Sequence, residues 1–389
     1  MRFPTAPISG FALRLAGLYA AIFVMTGIQL PFFPVWLKAK GLDAQMIGVV
    51  LAIPMVVRVF AIPVAARAAD RHEALRASII VASAASVIGY VLVGAAQGDA
   101  AILAAYVLAS LAFTPVMPLT ETYALRGLSA RGKAYGPVRL WGSAAFIAGT
   151  FAAGFATDVM PARDLIWLIA AATAIMAFAA FSLAPLSLGA AATEEGTMTR
   201  KSLLRDPAFV AVVAAASLIQ ASHAVYYGFS ALQWRGIGLD GSAIAALWAL
   251  GVIVEIVLFA VSARLPPFLT PIMLMIVGGA GATLRWTVMA FDPPVSLLPG
   301  LQLLHALSFG ATYLGALNFV ARRAPPGQSA TAQGYLAIAS GLVMAGATGL
   351  SGLLYAAFGG LAYAAMALTA VVGGACALVA DDMTRRAPG

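Results

Sequence analysis

The chain has 389 residues, of which 62% are hydrophobic and 10% charged, with a formal net charge of +8. Soluble domains carry about 25% charged residues, so this composition excludes a water-soluble globule and marks a polytopic membrane protein. The positive excess belongs to loops and leaflets and does not point to nucleic acid, while a lone cysteine, Cys376, excludes a disulfide framework or a thiolate metal site.

The start, "MRFPTAPISGFALRLAGLYAAIFVMTGIQL", runs directly into a long apolar segment with no small-residue cleavage site. The expectation is a retained first spanning helix, not a signal peptide. A bilayer span takes about 20 mostly apolar residues. Twelve segments qualify: 12–37, 44–66, 77–97, 99–124, 136–159, 164–185, 207–234, 241–263, 268–291, 294–321, 328–356 and 359–380. With both termini cytoplasmic, the inner segments hold 15 of the 23 basic residues and the outer segments 4 (Lys38, Lys40, Arg163, Arg235). That asymmetry sets the orientation. The other four, Arg14, Arg58, Arg139 and Arg285, lie in or at the edge of spans.

The longest polar stretch, "SLGAAATEEGTMTRKSLLRDP" (187–207), divides the chain into an N-terminal half (1–186), a cytoplasmic linker (187–206) and a C-terminal half (207–389). The expected fold is therefore all-α, with two six-helix halves. An internal repeat supports the division. Residues 41–67, "GLDAQMIGVVLAIPMVVRVFAIPVAAR", align without gaps to 238–264, "GLDGSAIAALWALGVIVEIVLFAVSAR", and nine of 27 positions are identical. Parallel repeats of this kind are a transporter architecture, with the substrate site at mid-bilayer. The alignment also sets Arg58 opposite Glu255.

Ionisable groups inside spans are rare, face the bundle interior and are usually partnered. Here they are Arg58, Glu121, Arg139, His223, Glu255, Arg285 and His305. Three arginines and two glutamates leave one guanidinium for an anionic ligand, and counting does not choose which. Polar stripes recur at helical spacing: Gln220, His223, Tyr227, Ser230 and Trp234; Gln302, His305, Phe309 and Thr312; Tyr19, Thr26, Gln29 and Phe33. Trp248 and Glu255 also share a face. Such faces are expected to line a pocket rather than meet lipid, with Tyr226 and Tyr227 as deep aromatic candidates. Each group also has a structural reading: Glu255 with Arg285 and Glu121 with Arg139 as ion pairs, Arg58 as a gating residue, and the two histidines as packing groups. Trp36, Trp167 and Trp234 near span ends are expected in the interfacial belt.

No enzyme constellation occurs. A Gly-rich phosphate loop, metal-ligand spacing and a nucleophile elbow are all missing from the sequence. Without an ATP motif, active transport requires an ion gradient, and no cofactor or metal is expected.

The stretch "RAADRHEALR" (67–76) resembles the loop signature of the major facilitator superfamily, roughly G-x-x-x-D-R-x-G-R-R. Asp70 and Arg71 fit, Ala66 and Glu73 stand where the signature has glycine, and Arg76 falls one place beyond its basic pair. "YGPVRLWGS" (135–143) looks like the start of helix five in proton-coupled permeases related to lactose permease and the nucleoside permeases. Across nearly the whole chain, "PVWLKAKGL", "MPLTETYAL", "HAVYYGFSALQW", "LWALGVIVEIVLFAVS", "LRWTVMA" and "LQLLH" resemble the phenylpropionic acid transporter group.

This resemblance implies a proton symporter of the bacterial inner membrane that imports a small aromatic carboxylate by alternating access, as a monomer in the lipid bilayer and without a nucleic-acid partner. It assigns substrate contacts to Arg139 first and to Glu121; a carboxylate substrate makes Arg58 the next guanidinium, and a phenyl ring finds aromatic walls in Tyr227, Trp141, Trp248 and Phe309. Proton coupling falls to Glu255, with Arg285, His305 and His223, because the lactose permease group has a second glutamate where this chain has Ser308. Asp70, Arg71 and Arg76 are assigned to the gating loop. A neutral sugar or nucleoside symporter is the next reading, then an efflux antiporter, then a non-transporting membrane sensor.

Overall fold

The computed structural model describes residues 10–186, 203–325 and 328–386. The linker expected at 187–206 lies outside the described residues up to position 202. The described residues form helices without strands: α1 (Gly10–Ala39), α2 (Ala44–Arg71), α3 (Leu75–Ala95), α4 (Asp99–Phe113), α5 (Val116–Ser129), α6 (Tyr135–Val159), α7 (Leu165–Phe181), α8 (Pro207–Ala221), α9 (Ala224–Gly236), α10 (Gly241–Val261), α11 (Pro271–Met289), α12 (Leu298–Leu303), α13 (Thr312–Arg323), α14 (Ser329–Phe358) and α15 (Ala362–Arg386). Backbone groups in a bilayer must be satisfied within their own segment, which apolar helices achieve.

Eleven stretches are long and apolar enough to cross a membrane, so the chain is an all-α, multi-pass membrane protein. Four of them contain breaks. Pro115, which has no N–H to donate, separates α4 from α5. Ser222 and His223 separate α8 from α9. Between α12 and α13, Ala306–Ala311 is π-helical, a form that concentrates at functional sites. The last stretch, Thr331–Arg386, is 56 residues long and turns at Gly359 (φ 56) between α14 and α15.

The helices cluster into two units. One holds residues 10–40, 57–186 and Asp240–Ala245; the other holds 41–56, 203–239 and 246–386. The first is cored by Leu15, Tyr19, Ile79, Tyr123 and Met176 from α1, α3, α5 and α7. The second is cored by Phe209, Val212, Met275, Val320 and Ala377 from α8, α11, α13 and α15.

The repeat is visible in backbone geometry. Gly41 and Gly238, aligned in sequence, have φ of 96 and 92, a conformation that favours glycine. Two residues later, Asp43 Oδ1 accepts from Met46 N (2.8 Å), and Asp240 Oδ1 accepts from Ala243 N (2.6 Å). Both helices thus begin with the same glycine turn and aspartate cap.

In the first unit, Asp158 at the end of α6 caps the start of α10 a second time. It accepts from Gly241 N (2.7 Å), Ser242 N (3.1 Å) and Ser242 Oγ (3.1 Å). Gly154 and Gly241 pack backbone to backbone beneath it, where a Cβ on either would strike the other's carbonyl.

Two expected belt residues are packed inside instead. Trp36 is fully buried and donates Nε1 to Arg163 O (2.9 Å), and Trp234 is buried against Tyr226. Only Trp167 of the three is exposed. Nearness to a span end does not tell which face of the helix carries the ring.

Candidate functional site

Helix α11 carries the most buried cation. Arg285 has no exposed surface, and the planar faces of its guanidinium meet the rings of Tyr226 (4.6 Å) and Trp286 (4.5 Å). Its nitrogens reach across to the span containing α12 and the π-helical segment. Nη2 donates to Gln302 Oε1 (2.6 Å), and Nη1 donates to His305 Nδ1 (3.0 Å) and Ser308 Oγ (3.4 Å).

A guanidinium donates and never accepts, so these contacts fix protonation. His305 Nδ1 must be the acceptor, which makes the ring neutral with its proton on Nε2. That nitrogen lies 3.6 Å from Glu255 Oε2 on α10. Ser308 accepts from Arg285, and its hydroxyl hydrogen donates to His223 Nε2 (3.1 Å). His223 Nδ1–H in turn donates to Gln220 O (3.1 Å). Gln302 Oε1 also accepts from the Tyr226 hydroxyl (3.0 Å), so its amide orientation is set by two donors. Trp286 Nε1 donates to Ser222 Oγ (2.9 Å), which anchors the α8–α9 break.

Glu255 and Arg285, expected as an ion pair, each meet a different ring nitrogen of His305. None of the ion pairs among the described residues includes Arg285, and His305 stands between the two charges. Helix numbering shows which spans carry charges but not how far each side chain reaches.

Rings enclose this network. Tyr226 stacks on Trp248 (4.7 Å), His223 on Tyr227 (5.6 Å) and His305 on Phe309 (5.2 Å). Trp248 is buried, while Tyr227, Glu255 and Phe309 are half-buried. Tyr226, Gln302 and Ser308 are structurally as central as the residues assigned from the resemblance. Gln302 was marked by its polar stripe, Tyr226 by its depth in an aromatic pair, and Ser308 only as the residue standing where the lactose permease group has a glutamate. Trp286 and Ser222 had no signal beyond adjacency to Arg285 and His223.

In the first unit, Arg139 on α6 lies over Phe23 (4.2 Å) and near Tyr19 (5.8 Å) of α1. Gly142, one turn along α6, leaves room for Phe23 and for the Arg139 guanidinium. Glu121 on α5 interacts electrostatically with Arg139, but the two form no ion pair. Arg58, expected to be buried, is exposed, and Trp141 is 56% exposed. The helix-one stripe is consumed by packing. Gln29 Nε2 donates to the Tyr106 hydroxyl (2.8 Å), and Phe33 stacks between Trp36 and Tyr106.

In the loop assigned to gating, Asp70 faces Arg126 at 3.7 Å, and Arg71, the last residue of α2, is exposed. Arg76 donates to Leu183 O (2.6 Å) and Phe181 O (3.1 Å), closing the carbonyl end of α7. Glu73, where the signature has glycine, still takes the left-handed conformation (φ 47).

Residues 12–368 match the family described as MFS_1 like. The probable 3-phenylpropionic acid transporter of Escherichia coli (strain K12) is 30% identical over 356 residues, 91% of this chain and 93% of that protein. The maltose permease of Geobacillus stearothermophilus is 28% identical over 343 residues, 83% of this chain and 82% of that one. Among solved structures, the nucleoside transporter NupG superposes over 97% of this chain and 100% of that chain (TM-score 0.79, 17% identity). A bacterial homologue of the human lysosomal transporter Spinster does so over 97% and 98% (TM-score 0.77, 14% identity). At those identities the likeness shows the fold. With its bilayer-length helices and a family match along nearly the whole length, the chain belongs to the MFS_1 like family of the major facilitator superfamily, and is a secondary-active transporter of a small organic solute rather than an enzyme.

Proposed function

We propose that the protein is a proton-coupled symporter importing a small aromatic carboxylate, such as 3-phenylpropionate, across the bacterial inner membrane. In this reading twelve spans form two six-helix halves working by alternating access, as a monomer with both termini cytoplasmic. Glu255 carries the proton, with His305, Arg285 and His223 behind it. Tyr227, Trp248, Phe309 and Trp141 supply aromatic wall to a phenyl ring, while Arg139, Glu121 and Arg58 complete the substrate contacts. Asp70, Arg71 and Arg76 act in the gating loop.

The observation that carries the reading is a membrane-embedded carboxylate 3.6 Å from a neutral histidine that accepts from a buried arginine. Ionisable groups so placed mark proton paths. The full-length relative described as a probable 3-phenylpropionic acid transporter supports the substrate class. A second reading, a neutral sugar or nucleoside symporter, is supported by the maltose permease relative.

Proteoliposomes with an inward proton gradient test both. Labelled 3-phenylpropionate accumulates and is lost on adding a protonophore; accumulation of lactose alone would reject the aromatic-acid reading. In the same assay Glu255→Gln abolishes uphill uptake and spares downhill exchange. Full uphill activity in that variant removes Glu255 from coupling.

A further inference from the structure

We infer that the substrate carboxylate is received by buried N–H donors of Arg285, Gln302 and Trp248, and not by Arg139. The inference rests on the aromatic-carboxylate reading and specifies its receptor.

Burying a guanidinium without a counter-ion costs several kcal/mol unless an anion arrives. Arg285 has no exposed surface and, among the described residues, no ion pair, and its three acceptors there are neutral groups: an amide oxygen, an imidazole nitrogen and a hydroxyl. Its Nε has no hydrogen-bond partner among the described residues. Neither has Gln302 Nε2, whose oxygen is already committed to Arg285 and Tyr226, nor Trp248 Nε1. Gln302 has no exposed surface and Trp248 is 4% exposed.

All three side chains contact one residue, Tyr226. Arg285 lies 4.6 Å over the Tyr226 ring, Trp248 stacks on it at 4.7 Å, and Gln302 accepts its hydroxyl at 3.0 Å. A buried polar group left unpaired is destabilising, so three unpaired N–H groups around one tyrosine call for a ligand that only accepts. A carboxylate meets that need and brings the missing charge. A sugar or nucleoside hydroxyl adds a donor for each acceptor and leaves the cation uncompensated. Arg139 is a weaker receptor, being half-buried, laid over Phe23 and within the field of Glu121.

The test compares 3-phenylpropionate with its neutral amide by calorimetry on the detergent-purified full-length protein. Trp248→Phe keeps the ring and removes one N–H, and Arg285→Lys keeps the charge and removes Nε. The wild type prefers the carboxylate. Arg285→Lys cuts that preference about tenfold and Trp248→Phe about threefold, the scale of one charge-assisted or neutral hydrogen bond. Amide affinity falls less than carboxylate affinity in both variants, and the carboxylate preference falls less in Arg139→Gln than in Arg285→Lys. A preference that survives both Arg285→Lys and Trp248→Phe, or falls only in Arg139→Gln, overturns the inference while leaving the substrate reading standing. A wild type indifferent to carboxylate and amide, but binding a neutral disaccharide or nucleoside, overturns both.

Discussion

Because a guanidinium has five N–H groups and no acceptor, Arg285 reports the state of every atom it touches. The neutral, Nε2-protonated form of His305 follows from a single 3.0 Å contact. The two ring nitrogens then have separable duties: Nδ1 satisfies Arg285, and Nε2 faces Glu255. An asparagine places an amide oxygen near the Nδ1 position, whereas leucine offers neither group. His305→Asn is therefore expected to keep nearly wild-type thermal stability and lose uphill uptake. His305→Leu additionally loses about 1–3 kcal/mol, because Arg285 Nη1 forfeits its nearest acceptor. Melting temperature and gradient-driven uptake, measured side by side, separate the two; equal melting temperatures for both variants would remove Nδ1 from any supporting role. The sequence made these groups visible as rare charges in apolar runs. Their pairing was illegible, since the distance from Glu255 to Arg285 depends on how far each side chain reaches and on which residue lies between.

At the scale of elements, helix ends carry most of the local specification. Glu73 sits in the turn between α2 and α3 with φ 47, where a residue with a Cβ is disfavoured by roughly 1–2 kcal/mol. Glu73→Gly relieves that strain at some cost in unfolded-state entropy, so the variant is expected to be as stable as the wild type or slightly more so. A fall of several degrees in melting temperature would show that the glutamate side chain has a role of its own.

The N-terminus of α8 offers a pH-dependent counterpart. Asp206 caps Ala208 N and accepts from Arg323 Nε at 2.6 Å. Burial pushes its carboxyl up, but the Arg323 hydrogen bond and charge, with two backbone N–H groups, outweigh this and hold it below the ordinary range. A folded-state value below the unfolded one contributes stability above the unfolded pKa of about 4 and loses it as pH falls through the folded value. The melting temperatures of wild type and Asp206→Asn are thus expected to differ near neutrality and converge below about pH 4. The gap is small, since partly exposed pairs are worth about 1 kcal/mol or less. A gap constant with pH would assign the cap to geometry rather than charge.

At the scale of the whole molecule, hydropathy and loop charge were enough for the membrane class, and the Gly-Leu-Asp repeat was enough to place two equivalent helix starts, because each is a backbone event written in a few adjacent residues. Breaks inside spans were not legible: the π-helical segment at Ala306–Ala311 has no local signature, and the interruption at Ser222–His223 is met by Trp286, which is distant in sequence. The span number turns on one place. Thr331–Arg386 is a helical stretch of 56 residues, about 84 Å if it were one straight helix at 1.5 Å per residue, far beyond a hydrocarbon core of about 30 Å. The turn at Gly359 divides it into helices of 30 and 25 residues, each sufficient for one crossing. If both cross, positions on either side of α15 lie on opposite faces of the membrane. A periplasm-dependent phosphatase fused after Gly360 is then active, and the same reporter fused after Gly389 is inactive, with a fluorescent protein giving the reverse pattern. Matching reporter activity at the two sites would mean that one helix does not cross, which would break the even count that a two-half, alternating-access transporter with both termini cytoplasmic requires.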